Sequence, residues 1–370
     1  MLRAVPAAVC LAILAAWYSS SRLCAALEPG SAWRWVVRAA LALTWAFPLA
    51  RLLSRGRRQF NRLWHAGFFI LGLAISFLIG LAAMDLLGLI LRVLGLAWPA
   101  LAPWYLAGIC LLGNLWGLRM ALQVPGVVRV SIRHKGLHPA LEGLRIVQLS
   151  DMHISSVLGR DYVQAVVEEV LALKPDLIAI TGDLVDGPRE KLQDAVAPLA
   201  GLKAPWGVFY VTGNHEYIWG AKAWVEDLKA LGLQVLDNAH QVLHKGEATL
   251  LVIGISDLSA ARMGSTDRPD VAKAMQGAPQ ADFRLFLAHQ PKAWKEAHRA
   301  GADLMLAGHT HAGQFFPFQG IVSLFHRYFN GLYRHEDAFW VYVHAGSGYM
   351  GPPSRLGVPK EIALLELTAL

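Results

Sequence analysis

The hydrophobic pattern of this chain changes near residue 122. Before that point apolar residues run in four long blocks, at about 4–20, 35–53, 66–91 and 102–122. None of them shows a polar face at helical spacing, which a helix in a soluble core would need. A spanning helix requires roughly 20 apolar residues, and the last three blocks meet this. The first is shorter and has the length of a signal-peptide core. No small-residue cleavage site stands out in it, and Trp17-Tyr18 suits a membrane interface. The expectation is about four spans.

After residue 122 the apolar runs shorten and alternate in kind. Strands are predicted at 144–149, 177–181, 207–212, 284–288, 302–307, 340–344 and 362–367, with a β-rich stretch at about 234–256. Helical spacing falls near 162–173, 189–201, 221–232 and 292–300. Alternating strands and helices, followed by added hairpins, predict a layered α/β sandwich. The organisation is then an apolar anchor at 1–122, a linker at 123–143 and an α/β domain at 144–370.

Charge follows the same division. Residues 1–122 hold eleven Arg, no Lys, and only Glu28 and Asp85 as acids, a net +9, whereas the remainder is −2. The overall +7 therefore sits beside apolar blocks and does not point to nucleic acid. Arg51, Arg55, Arg57, Arg58 and Arg62 form the densest basic cluster, between the second and third blocks. By the positive-inside rule this cluster is cytoplasmic, and with four spans so are both termini and the second domain. Arg119, Arg129, Arg133 and Lys135 after the last block agree. The expected location is the inner membrane, multi-pass. Asp85, near one end of its block with Arg92 two turns on, reads as part of an interfacial pair. Cys10, Cys24 and Cys110 form no C-x-x-C pair, so neither a disulfide framework nor a zinc knuckle is suggested.

The chemistry lies where the strands of the second half end. The first ends in Asp151-Met152-His153, and the next in Gly182-Asp183, with Asp186 close behind. Later ones end in Gly213-Asn214-His215-Glu216, in His289, and in Gly308-His309-Thr310-His311. In α/β sheets ligands bind at the carboxyl ends of strands. An Asp or His after a strand is commonly only a turn residue or helix cap. Five such endings in order are harder to assign to chance. Asp151, His153, Asp183, Asn214, His289, His309 and His311 offer oxygen and imidazole donors and no sulfur. Seven donors are too many for one tetrahedral zinc. They suit two divalent ions sharing a carboxylate, with Mn the first choice and Fe or Zn the others. Two ions about 3.5–4 Å apart can activate water and clamp the oxygens of a phosphoryl group.

This ordered series resembles the calcineurin-like metallophosphoesterase superfamily over about 144–368. The resemblance implies a two-layer β-sandwich flanked by helices. It implies one metal on Asp151, His153, Asp183 and His311, and another on Asp183, Asn214, His289 and His309. His215 would donate to the phosphate or protonate the leaving oxygen, with Asp186 orienting it. Protein Ser/Thr phosphatases of the superfamily carry Arg after the Asp186 position, where this chain has Gly187. The chain is more similar to the membrane-anchored bacterial branch, which implies a phosphodiester or pyrophosphate substrate, in some relatives UDP-diacylglucosamine. Arg355 could hold a phosphate bidentately, or simply pair with Glu361.

An aromatic-rich insertion, Phe315-Phe316-Pro317-Phe318 through Leu332-Tyr333, follows the last motif. It could meet a bilayer or an acyl chain, or pack the core. His240, His244, His335 and His344 match no ligand position and read as structural. Three functions follow: a membrane-tethered phosphoesterase acting on a lipid or lipid-linked nucleotide, an anchored phosphodiesterase for soluble substrates, and a membrane scaffold or sensor with a catalytically weak domain. A decayed site usually lacks a ligand, and here every position is filled.

Overall fold

The computed structural model describes residues 5–53, 62–96, 103–335 and 339–370. The chain forms two compact units, which do not divide at a single point in the sequence. Residues 1–120 make one unit together with 316–318 and 351–356; the rest make the other.

The first unit contains helices α1 (Val5–Cys24), α2 (Ala32–Leu53), α3 (Arg62–Val93) and α4 (Pro103–Leu122), one for each apolar block. Among the described residues, two helices are long and apolar enough to cross a membrane, Trp64–Val93 and Pro103–Leu122. Their apolar side chains Ile90, Leu112 and Trp116 stay exposed, as a lipid-facing surface requires. The apolar part of α1 is shorter, and α2 carries Arg34, Arg38 and Pro48, so the four-span expectation goes beyond these two. Of the basic cluster, Arg55, Arg57 and Arg58 lie outside the described residues. Asp85 pairs with Arg22 of α1 (2.6 Å) and accepts from Tyr18 Oη (2.6 Å), not with Arg92. The reason is geometric: residues seven apart on one helix stand roughly 10 Å apart along its axis, whereas α1 packs beside α3. The segment 351–356 settles against α4 at Gly117, where an added Cβ would lie 2.2 Å from Ser354 Oγ. Arg355 N donates to Gly117 O (3.0 Å).

The second unit is built on two mixed six-stranded sheets. Its strands in chain order are β1 (Gly126–His134), β2 (Arg145–Leu149), β3 (Leu177–Thr181), β4 (Val208–Val211), β5 (Gln234–Val235) and β6 (Ala239–Lys245). Then follow β7 (Ala248–Gly254), β8 (Phe283–Leu287), β9 (Leu304–Ala307), β10 (Gly331–His335), β11 (Phe339–Val343) and β12 (Glu361–Ala369). One sheet runs β1-β12-β2-β3-β4-β5, the other β10-β11-β9-β8-β7-β6. The stretch 123–143 is not a plain linker. It contains β1, which pairs in parallel with β12 along its whole length. The alternation Val128, Val130, Ile132 against Arg129, Ser131, Arg133 is what lets it lie on a sheet.

The shared core between the sheets takes Ile146, Ala179 and Phe209 from one side and Leu250, Val252, Leu285, Leu287, Leu304 and Leu306 from the other. The alternate residues Leu251, Ile253, Phe286 and Met305 face a second cluster with Ala293 and Ala297. Central strands buried on both faces explain the unbroken apolar runs. Helices α5 (Arg160–Ala172), α6 (Arg189–Val196), α7 (Asn214–Trp219), α8 (Ala221–Ala230), α9 (Val271–Ala274), α10 (Trp294–Arg299) and α11 (Phe318–Ser323) fill the connections. On α5 the buried Val163, Val166, Val167 and Val170 form one stripe at helical spacing.

Candidate metal centre

The carboxyl ends of β2, β3, β4, β8 and β9 converge, and the residue types that follow them meet there. His311 Nε2 lies 3.3 Å from Asp151 Oδ1 and 3.0 Å from His153 Nε2. His153 Nε2 is 3.8 Å from Asp183 Oδ2. On the other side of Asp183, His289 Nε2 stands 3.2 Å from the same oxygen, 3.2 Å from Asn214 Oδ1 and 3.2 Å from His309 Nδ1. Three donor groups are each compact enough to hold an ion: Asp151-His153-His311, Asp183-His289-His309 and, sharing His153 with the first, His153-Asp186-His215. All seven sequence-derived donors thus gather around Asp183.

The backbone is bent to make this possible. Asp151, His153, Asp183, His309 and His311 all have positive φ, between 45° and 70°. Non-glycine residues avoid this region, and its cost is tolerated mainly at functional sites. Glycine supplies the close approach: an added Cβ at Gly308 would lie 2.2 Å from Asp151 Oδ2.

The donors fit a cation on three counts. First, His289 Nδ1 is 2.8 Å from Thr181 O, so its proton goes to that carbonyl and the Nε2 lone pair faces Asp183. Lone pairs facing one another at hydrogen-bond distance need a proton or a cation between them. Second, burial, with neighbouring imidazoles adding to it, holds His153 and His309 down to about 3, so both rings are neutral ligands at neutral pH. Third, burial opposes charge on His289, yet Asp183 and Asp151 outweigh it and raise that ring well above its ordinary value, so without a cation the Nε2 lone pair takes up a proton in its place. The carboxylates therefore draw positive charge to this point.

At the edge of these donors stands the pair His215 and Asp186, with Asp186 Oδ2 3.9 Å from His153 Nδ1. His215 Nδ1 is 3.2 Å from Asp186 Oδ1, and Trp219 Nε1 donates to the same oxygen (2.8 Å). His215 Nε2 is 3.9 Å from Asp183 Oδ2, so the ring edge faces the donors, and with Asp186 it also lies close enough to His153 to share an ion. Burial works against a charged ring here, but Asp183 and Asp186 prevail and lift His215 to about 9.

Three supporting groups were not assigned a role from the sequence. Glu216 is fully buried, and its carboxylate accepts from four backbone N–H groups: Asp183 (3.0 Å), Leu184 (2.8 Å), Val185 (3.2 Å) and Gly213 (2.6 Å). It ties the Asp183 loop to the Asn214 loop. A Glu three residues after Gly213, opening a helix, is the carboxylate half of a capping box and was the available signal. Ser150 Oγ donates to Asp151 Oδ2 (2.6 Å), and Trp219 fixes Asp186. No local pattern flags either one.

Arg355 belongs to the helical unit and is fully buried. His240, His335 and His344 serve packing: His240 Nδ1 pairs with Ala274 O (2.7 Å), His335 Nδ1 meets Tyr328 Oη (2.5 Å), and His344 Nδ1 accepts from Gly346 N (2.9 Å).

A sandwich of two mixed sheets whose strand ends gather oxygen and nitrogen donors forms a site that could hold divalent metal. Comparison with known proteins makes the class specific. The family model for calcineurin-like phosphoesterases matches residues 144–313. An uncharacterised metallophosphoesterase of Helicobacter pylori is 40% identical over 263 residues, covering 70% of this chain and 68% of that one. A transmembrane protein with metallophosphoesterase domain from Danio rerio is 38% identical over 260 residues, covering 68% of this chain and 60% of that one. A solved dimetal phosphatase from Danio rerio superposes with a TM-score of 0.38 at 11% identity, over 57% of this chain and 90% of that one. The chain belongs to the calcineurin-like metallophosphoesterases, metal-dependent phosphoester hydrolases that work with two divalent ions.

Proposed function

We propose that the protein is a membrane-anchored, dinuclear-metal phosphodiesterase acting on a phosphodiester or pyrophosphate bond, with a lipid or lipid-linked nucleotide as substrate. The carrying observation is the gathering of seven donors around Asp183 with the His215–Asp186 pair at its edge. Asp151, His153, Asp183 and His311 would hold one ion, and Asp183, Asn214, His289 and His309 the other. Mn is the preferred ion for this mixed oxygen and imidazole set. Two such ions, when bound, supply Lewis-acid stabilisation of phosphoryl oxygens and a nucleophile at neutral pH.

The chain's own residues do the rest. His215 delivers a proton to the departing oxygen, a step suited to a positioned imidazole. Asp186 accepts from the other ring nitrogen and stabilises the charged form, with Trp219 fixing the carboxylate. Glu216 holds the two loops that carry Asp183 and Asn214 in register. The apolar helices tether the site beside the bilayer, which raises its effective concentration toward membrane-borne esters. Four spans, the inner membrane and a cytoplasmic catalytic unit complete the reading, on the basis of the arginines flanking the helices.

The test is hydrolysis of bis-p-nitrophenyl phosphate by the purified full chain, with and without Mn. Turnover that needs metal and is lost in Asp183→Ala supports the proposal. A protein that binds its ions but leaves this ester, phosphatidyl-p-nitrophenol and UDP-diacylglucosamine intact would be a scaffold instead.

A further inference from the structure

One segment next to the metal centre has no part in the chemistry above. The chain leaves His311, passes through Phe316–Phe318, which group with the apolar helices, and forms α11. It returns at Phe329, whose carbonyl accepts from Thr310 Oγ1 (2.7 Å). The His326 ring lies 6.3 Å from that of His309. The segment thus begins and ends against metal-type residues.

Its surface is divided. Phe315 and Tyr328 are buried and hold the two ends down. Between them Leu324 is 81% exposed, Phe325 71% and Ile321 43%. Three apolar side chains facing water within five residues cost hydration free energy unless something covers them. The flanks are basic. The exposed Arg327 lies 5.1 Å over the Trp294 ring and Lys295 5.6 Å from it. Lys292 acts electrostatically on His326. No Asp or Glu occurs from 312 to 335. Exposed apolar tips followed in sequence by an exposed Arg327 stacked on aromatic rings match the headgroup–acyl boundary of an anionic bilayer.

We infer that residues 318–329 form a lip that dips into an anionic lipid surface, presenting the metal centre to phosphoesters at headgroup depth. This rests on the membrane-anchored reading above and names the substrate class as an amphiphile. The occupant is lipid. A second copy of the chain, the other candidate for an apolar patch, is separated from lipid by the cross-linking arm of the test.

The test uses the full chain in nanodiscs of phosphatidylglycerol and phosphatidylcholine. Cys10, Cys24 and Cys110 are replaced by Ala, and Leu324→Cys or, as a control, the exposed Lys245→Cys is labelled with bimane. Lipid carrying a nitroxide high on its acyl chain should quench the label introduced by Leu324→Cys by about twofold and leave the control unchanged. In the Leu324→Glu/Phe325→Glu double variant, turnover of phosphatidyl-p-nitrophenol relative to bis-p-nitrophenyl phosphate should fall about tenfold. Absence of quenching, or an unaltered ratio, overturns the lip. So does disulfide formation between two Leu324→Cys chains, which assigns the patch to self-association. If the metal-loaded parent hydrolyses neither ester, the phosphodiesterase reading fails, while the quenching still decides whether the lip meets lipid.

Discussion

At the scale of single residues, Asp183 is the hub. Its carboxylate lies within 3.2 Å of His289 and 3.8 Å of His153, and it accepts from the His215 amide (2.8 Å). The neighbouring His215 has a separable role. His215→Asn is expected to lower kcat by about 10²–10⁴, the usual worth of a positioned acid or base, with metal content unchanged. Rate and bound metal measured on one preparation check this, and loss of metal would move His215 into the ligand set. Trp219→Phe removes one hydrogen bond from Asp186 and should lower kcat by about tenfold or less, leaving KM in place. The metal-type residues were legible in the sequence because each interrupts an apolar run at its end. Glu216 was visible as part of a motif, but its role depends on four amides from two loops 30 residues apart. Trp219 reaches Asp186 only through the turn of α7, and nothing local in the sequence announces that.

At the scale of elements, the parallel strands β2, β3, β4, β8 and β9 aim their carboxyl ends at one place, so packing of the sandwich and alignment of the donors are one problem. Leu285 is fully buried between the sheets. Leu285→Ala should destabilise the protein by about 2–5 kcal/mol through lost burial and the cavity left behind. Glu216→Gln replaces one of the two oxygens that accept four N–H groups with an NH2 that cannot accept, and should cost about 1–3 kcal/mol. Urea midpoints at a constant slope measure both. Equal stability in the Glu216 variant would show that the two loops hold their register unaided. The central strands were legible because they are continuous apolar runs. β1 carries period-two alternation, yet its partner β12 lies 235 residues further along and cannot be found by local pattern. The Arg22–Asp85 pair was hidden for the same reason, since it joins two helices 63 residues apart.

At the scale of the whole molecule, the units are interleaved in sequence: residues 351–356 come from the far end of the chain and pack within the helical unit. Gly113 and Gly117 lie against Leu356 and Ser354 there. A fragment beginning at residue 123 strips that segment of its packing, so it should melt lower than the full chain in detergent and aggregate more readily. Identical melting would show the helices to be a detachable tether. The four apolar helices were readable from composition because each is a long apolar block, while the inserted segment was not, because it adds nothing to hydropathy. Whether this fold assembles a two-ion phosphodiesterase is decided by metal titration of the chelator-stripped full chain. Manganese is added stepwise while bound metal and bis-p-nitrophenyl phosphate turnover are followed together. The account predicts activity that rises to a plateau at two ions per chain, and no turnover at any loading in Asp183→Ala. A plateau at one ion, or two bound ions without turnover of any phosphodiester, would contradict it.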